Sequence, residues 1–385
     1  MNDDGDYEIR ESFSNTVTSI NYFYWLDISN CESLTCLPAE LLNLKFLRRL
    51  SLDGCLKLEE LPEIKETMEN LKVLILNRTA IKELPSSLHR LVGLVKLSLK
   101  SCTKLKTIPS SIGNLSLLSH LDCSGCCRLT EIPNNIGCLS SLTELSLEGS
   151  SILNLPESMA HLSSLRSLNL NGCKLLECVP KLPPNLTKVQ SFNCPAFKRM
   201  VLNSRLGRLM SDSKEGTYVF GLTNSQELDA TARKNVVGEA RIKITDGYRS
   251  VFFCFPRSTV PRWIHYCCQE DSPNLCSQNR LIGFALCAIM DGMRTNFGFR
   301  YNFRFISDGE IYSYNHFMPA DILYRNSSRL FLWKHQLDLE AIGNKLFHAQ
   351  NFTFQFQSDF KVKELGMCPM YTKSIEEASG SNAAE

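Results

Sequence analysis

Leu94-Val95-Lys96-Leu97-Ser98-Leu99-Lys100-Ser101-Cys102-Thr103-Lys104-Leu105-Lys106-Thr107-Ile108-Pro109 decides the fold. Apolar residues stand at Leu94, Leu97 and Leu99, a small residue at Cys102, and an apolar-proline pair closes the stretch at Ile108-Pro109. The Leu97-Ser98-Leu99 step alternates inward and outward, as a short strand does. A small side chain is demanded at Cys102, where the chain turns inward. Pro109 lacks the N–H for a further ladder bond and sends the chain to the far side, where Ser110 to Leu118 returns it.

The same unit recurs from end to end of residues 23–180. Copies start at Phe23, Leu47, Leu71, Leu94, Leu118, Leu142 and Leu165, spaced 24, 24, 23, 24, 24 and 23 residues apart. The small position holds Cys31, Cys55, Thr79, Cys102, Cys126, Ser150 and Cys173. Thiols and hydroxyls there can bond backbone groups of neighbouring copies. One unit cannot cover its own leucines, but a stack of seven can. At about 4.8 Å per strand, the stack predicts a parallel sheet roughly 30–35 Å long on the concave face. Residues 182–194 read as a shortened final unit, and residues 1–22 show no cap and suit the remnant of an upstream unit.

Length and charge narrow the rest. The 385 residues predict two or three domains. The formal charge of +2 is spread evenly over both halves, against non-specific nucleic-acid or anionic-membrane binding. The acidic start MNDDGDYEIR is no signal peptide, and the apolar run Leu281–Met290 is about half of the roughly 20 residues a bilayer span needs. Seventeen cysteines in a long chain without a leader read as reduced thiols in a reducing compartment, and a cytoplasmic protein, with the nucleus as a second compartment, is expected. The sequons at Asn77 and Asn114 are then chance matches.

Residues 201–216 read as a linker, and beyond them the repeat gives way to aromatic and β-branched residues. A helix-like piece from Gln226 to Val237 precedes strand candidates at 240–245, 250–255, 281–290, 301–306, 328–333, 352–357 and 361–367. Asn351-Phe352-Thr353-Phe354-Gln355-Phe356 alternates as a half-buried strand. Residues 217–371 therefore predict an all-β two-sheet sandwich, and 372–385 a disordered polar tail.

The repeats, with Ile108-Pro109-Ser110-Ser111-Ile112-Gly113-Asn114-Leu115 between them, resemble the leucine-rich repeats of plant intracellular immune receptors. The region C-terminal to the repeats is similar to the post-repeat jelly-roll/Ig-like domain of TIR-type receptors: Phe253-Cys254-Phe255-Pro256, Val260-Pro261-Arg262-Trp263, Leu281 to Cys287, then Val362 to Gly366 with Tyr371. The resemblance covers residues 23–375. It implies an α/β leucine-rich-repeat solenoid at 23–200 followed by a jelly-roll/Ig-like sandwich. It also implies a non-enzymatic plant defence protein that contacts a pathogen effector or a guarded host protein. The family's other parts are missing from the sequence: no G-x-x-x-x-G-K-[ST] phosphate cradle and no TIR domain occur, so no nucleotide, cofactor or small-molecule substrate is expected. Two other readings remain open, a non-signalling scaffold or decoy paired with a complete receptor, and a truncated product without retained function.

The expected protein-binding face is the concave sheet. Arg48, Arg49, Lys72, Arg78, Lys96 and Lys100 lie on three consecutive repeats, Asp122, Glu144 and Glu148 on the next two, and Tyr24 and Trp25 on the first strand. Aromatic and Arg anchors would supply affinity and the charge division selection; the plainer reading is a solvated face. Cys123-Ser124-Gly125-Cys126 has metal or redox spacing, but both cysteines already hold framework positions. His265 with Cys267-Cys268 allows a thiol enzyme resembling a repeat-guided ubiquitin ligase, against a plain pair of thiols in a turn. His89, His120 and His161 are scattered and lack ligand spacing. Pro256, Pro261, Trp263 and Gly283 read as fold residues, Trp263 as a core anchor and Gly283 at a close approach.

Overall fold

The computed structural model describes residues 24–183, 185–200, 217–223, 229–245, 250–256, 261, 263–264, 266–267, 281–291, 299–307, 309–318, 329–336, 350–357 and 361–371. They form two units, residues 24–200 with 229–235, and residues 217–223 with 236–371. The segments 1–22, 201–216 and 372–385, together with Phe23, Arg262, His265 and Cys268, lie outside the described residues.

In the first unit each repeat contributes one three-residue strand: β1 (Trp25–Asp27), β2 (Arg49–Ser51), β3 (Val73–Ile75), β4 (Lys96–Ser98), β5 (His120–Asp122), β6 (Glu144–Ser146) and β7 (Ser167–Asn169). All pair in parallel and in register, with the central leucine of one strand opposite that of the next. Between β7 and the end of the stack lies β8 (Cys178–Val179). The shortened final unit supplies β9 (Lys188–Phe192), parallel to β7, and β10 (Arg199–Met200) pairs with β8. The central leucines Leu50, Leu74, Leu97, Leu121, Leu145 and Leu168 are at most 1% exposed, so the repeat's period is the period of the core.

After Pro38, Pro85, Pro109, Pro133 and Pro156 the chain makes one 3-10 turn, Ala39–Asn43, Ser86–Arg90, Ser110–Asn114, Asn134–Cys138 and Glu157–His161. The proline's extended backbone, with ψ from 134° to 148°, sets the direction of entry. In the described residues the second repeat has no such turn. Its Glu63 carboxylate instead accepts hydrogen bonds from the Ser86 and Ser87 backbone N–H groups at 3.3 and 3.1 Å, capping the turn of the next repeat.

The corner before each small residue holds a feature the sequence reading did not extract. Asn30, Gly54, Arg78, Ser101, Gly125, Gly149, Gly172 and Asn193 occupy one column, and each has φ between 57° and 79°. Glycine and asparagine tolerate this left-handed conformation, while Arg78 and Ser101 carry its cost. The N–H at this position donates to a carbonyl of the next repeat, as from Gly54 to Asn77 at 2.9 Å and from Gly125 to Glu148 at 2.6 Å. The next residue bonds backward: Cys55, Cys102, Cys126, Cys173 and Cys194 donate from Sγ to the preceding repeat's carbonyl at 3.0–3.1 Å. The corners at Cys55, Cys102, Cys126 and Cys173 thus tie their repeats to both neighbours, whereas the Thr79 hydroxyl bonds the Leu76 carbonyl of its own repeat.

The second unit contains β11 (Thr217–Thr223), the helix α1 (Ala230–Thr245, shared with the first), β12 (Ser250–Pro256), β13 (Tyr266–Cys267), β14 (Leu281–Asp291), β15 (Phe299–Ser307), β16 (Glu310–Met318), β17 (Arg329–Gln336), β18 (Gln350–Gln357) and β19 (Lys361–Tyr371). One sheet runs β11-β12-β17-β14-β19-β13 and a second runs β16-β15-β18. Three of the four stretches that carried the family resemblance therefore lie in one sheet, on β12, β14 and β19, while Val260 and Arg262 of the fourth lie outside the described residues. Gly283 sits at a register shift against β19, and Trp263 is half-buried.

The expectation of an all-β second half needs correction, because α1 is sixteen residues long and takes in the strand candidate at 240–245. The β-branched Ile242, Ile244 and Thr245 suggested a strand, but Ala232, Val236, Ala240 and Ile244 recur every four residues and are all buried. Asp229 caps the helix through a 2.6 Å bond from the Ala232 N–H, and Ala230 is its first residue. Glu239 and Lys243 lie 3.7 Å apart on one helix face, each side chain 2% exposed.

The left-handed column makes a testable prediction. Ser101→Gly should stabilise the array by about 1 kcal/mol, since it removes a side chain from a left-handed site; thermal unfolding should show a higher midpoint, and an unchanged or lower one contradicts the strain at this corner.

Candidate protein-binding face

Because register is kept from strand to strand, outward residues form columns. The first column reads Trp25, Arg49, Val73, Lys96, His120, Glu144 and Ser167 across β1 to β7, and the second Asp27, Ser51, Ile75, Ser98, Asp122, Ser146 and Asn169. Of the expected binding residues, Trp25, Arg49, Lys96 and Glu144 share the first column and Asp122 stands in the second. Lys100 and Glu148 lie one step beyond the second inward residue, in repeats two apart. Trp25 is 75% exposed.

The other four sit differently. Tyr24, Arg48 and Lys72 precede their strands. The Arg48 guanidinium lies 5.4 Å from the centre of the Tyr24 ring, and the Lys72 ammonium donates to the Glu69 carbonyl at 3.0 Å. Arg78 is in the left-handed column, its Nε 3.0 Å from the Asp53 carboxylate.

Polar side chains also tie neighbouring strands together across this face. Asp122 Oδ1 accepts from the Ser124 N–H and hydroxyl at 2.9 and 2.5 Å, and Ser124 Oγ meets Ser146 Oγ at 2.7 Å. Glu148 accepts from Asn169 at 2.9 Å. Asp27 accepts from Ser29, and those bonds, with Arg49 nearby, hold its carboxyl below the usual range. His120 Nε2 lies 3.8 Å from Glu144 Oε1, at the seam between the basic and acidic repeats.

The sequence reading missed Val73 and Ile75, which put two apolar side chains on the outward positions of β3. The run Lys72-Val73-Leu74-Ile75-Leu76 carried the signal, since its variable positions are apolar too. The missed acids Asp27 and Asp53 stand among the basic residues and offset part of their charge.

Two other places bear on chemistry. A cavity of about 550 Å³ lies where repeats one to four leave their corners, lined by Thr35, Leu56, Lys57, Glu59, Glu60, Lys82, Glu83 and Lys104. Three of its charges pair, Glu59 with Lys82 at 2.5 Å and with Lys104 at 3.1 Å. Cys123 and Cys126 are both fully buried, Cys123 at an inward strand position and Cys126 on the Leu99 carbonyl. Burial pushes the Cys126 and Cys194 thiols up to about 12, with neighbouring thiols adding to it, and it raises Cys55, Cys102, Cys123 and Cys173 as well. Such thiols are poor nucleophiles at neutral pH. Among the described residues no helix is long and apolar enough to cross a membrane.

Residues 43–136 match a family model described as Disease resistance protein RPS4B-like, leucine-rich repeats, and residues 164–186 match a model of the leucine-rich repeat. The chain is 31% identical over 310 residues to the Disease resistance-like protein DSC1 of Arabidopsis thaliana, covering 74% of this chain and 25% of that protein. It is 30% identical over 284 residues to the Disease resistance protein RPS4B of the same plant, covering 69% of this chain and 19% of that protein. The chain thus spans a quarter or less of the length of these relatives. Among solved structures, the leucine-rich repeat domain of the type III effector XCV3220 (XopL) is 27% identical, with a TM-score of 0.40 over 46% of this chain and 71% of that one. The repeats are leucine-rich repeats, and the chain is homologous to plant disease resistance proteins.

Thiol reactivity tests the framework assignment. In the native protein a maleimide should modify the exposed Cys127 and Cys138 within minutes, and leave Cys102, Cys123, Cys126, Cys173 and Cys194 untouched until denaturant is added. Rapid native labelling of Cys126 or Cys194, read by peptide mass spectrometry, contradicts it.

Proposed function

We propose that this chain serves plant defence as a recognition protein without enzymatic activity, binding a pathogen effector or a guarded host protein through the strand face of its repeats. The sandwich after the repeats, of the jelly-roll type in this reading, would act beside them as a second contact. Homology to disease resistance proteins supports the general role. The observation that carries the surface is a division of labour within each strand. The inward leucines and corner thiols build the core, whereas Arg49, Lys96, Lys100, Glu144 and Glu148 are exposed and contribute nothing to it. A repeat surface whose outward residues are free of framework duty is the usual place for protein recognition.

The charge order gives that surface a direction. Cations on β2 and β4 and anions on β5 and β6 steer and orient a partner of opposite pattern, and oppose one of the same pattern. Plant cytoplasm or nucleus is the compartment this reading requires.

Reversing the two poles is the test. A Lys96→Glu/Glu144→Lys variant should fold like its parent by circular dichroism, because both side chains are exposed, and lose about tenfold or more of its affinity for the protein that co-purifies with the parent from challenged leaves. A sensor should gain that partner on challenge, while a scaffold should hold the same partner before and after. Full retention of every interaction by the reversed variant refutes the strand-face assignment.

A further inference from the structure

We propose that the strand face from β2 to β4 takes an acidic segment of a partner protein, anchored by one apolar side chain on Val73 and Ile75. The inference rests on the strand-face reading above and specifies the chemistry of what that face receives.

Three observations converge on it. Val73 and Ile75 are outward on β3 and half-buried, yet the framework residue of that strand is the fully buried Leu74 between them. Apolar side chains at two outward positions of one strand do nothing for the core and form a ready seat for an apolar anchor. Register then fixes the surroundings: Arg49 on β2 and Lys96 on β4 lie on either side of Val73, each one strand spacing of about 4.8 Å away. Ser51 and Ser98 flank Ile75 in the same way.

The third observation is charge. Lys96 and Lys100 have no carboxylate within ion-pair distance among the described residues, unlike Arg78, which Asp53 holds. A basic segment laid across this patch would meet like charge, and a purely apolar one would desolvate two ammonium groups without compensation. A segment with carboxylates on both sides of an aliphatic or aromatic residue satisfies the cations and fills the apolar seat together. Asp122 and Glu144, on the next two strands, set the limit of the acidic stretch by like-charge repulsion. Trp25, beside Arg49 in the first column, extends the seat on the other side.

Panning a phage-displayed random peptide library on the purified chain tests this. Selected peptides are titrated against the parent, a Lys96→Glu/Lys100→Glu variant and a Val73→Ser/Ile75→Ser variant. The expected peptides carry Asp or Glu on both sides of an apolar residue, weaken at least tenfold on each variant, and weaken steeply as salt rises. The lysine variant changes exposed side chains alone and keeps the test valid if the serine variant unfolds. Neutral or basic peptides that bind the strand face but ignore the lysine reversal overturn the acidic chemistry and leave the face reading standing. Peptides insensitive to both variants, or no enrichment above a bead control, overturn both.

Discussion

Every repeat leaves its strand through the same corner, and the rest of the structure depends on that corner closing. One residue takes a left-handed backbone so that its N–H reaches the next repeat, and where the residue after it is Cys55, Cys102, Cys126, Cys173 or Cys194, its thiol donates to the carbonyl of the repeat before. Gly125 and Cys126 do both within two residues, at 2.6 Å to Glu148 and 3.1 Å to Leu99. A larger side chain at Cys126 would push the repeats apart, and an apolar one would leave a buried carbonyl with one bond fewer. The thiol suits the place because it is small, apolar enough to bury completely, and still a donor. Nearly all the regularity of the stack, from strand register to leucine column, comes from repeating this joint.

The joint also explains why the strand face is free to vary. Once corners and inward leucines fix the stack, the exposed outward residues that make no hydrogen-bonded tie across the face, Arg49, Lys96 and Glu144 among the described residues, bear little of its stability, and substitutions there cost a few tenths of a kcal/mol each. The chain has filled the outward positions unevenly. An aromatic residue, cations, an apolar pair and the acid Asp27 occupy the first four strands, and His120, Asp122 and Glu144 the next two. Solubility alone would call for mixed charge, whereas this order gives the surface a direction and a seat.

How far the sequence went toward this picture depends on the length scale of each signal. The leucine and cysteine columns were legible because a 23- or 24-residue period repeats them seven times, and the terminal unit ending at Cys194 could be read by extension. The left-handed column escaped notice because Arg78 and Ser101 interrupt its glycines and asparagines; backbone conformation is shared there while residue type is not. On the strand face, charge was easy to see and contact was not: the sequence shows Arg78 and Lys72 as cations, but not that Asp53 and the Glu69 carbonyl engage them. Val73 and Ile75 were hidden among framework leucines. In the second unit the long apolar strand β14 and the alternating β18 announced themselves. The stretch 240–245 misled because three β-branched residues outweighed a four-residue spacing that completes itself only upstream, at Ala232 and Val236. β16 (Glu310–Met318) went unread because its alternation places Tyr312 and Tyr314 among Ser, Asn and His.

The central claim is that framework and face are separable. Replacing Arg49, Lys96, Lys100 and Glu144 together by serine and following thermal unfolding addresses it directly. The account predicts one cooperative transition within a few degrees of the parent, because none of these side chains is part of the buried stack. A broad or greatly lowered transition would mean that the charged face itself holds the repeats together, and would contradict the account.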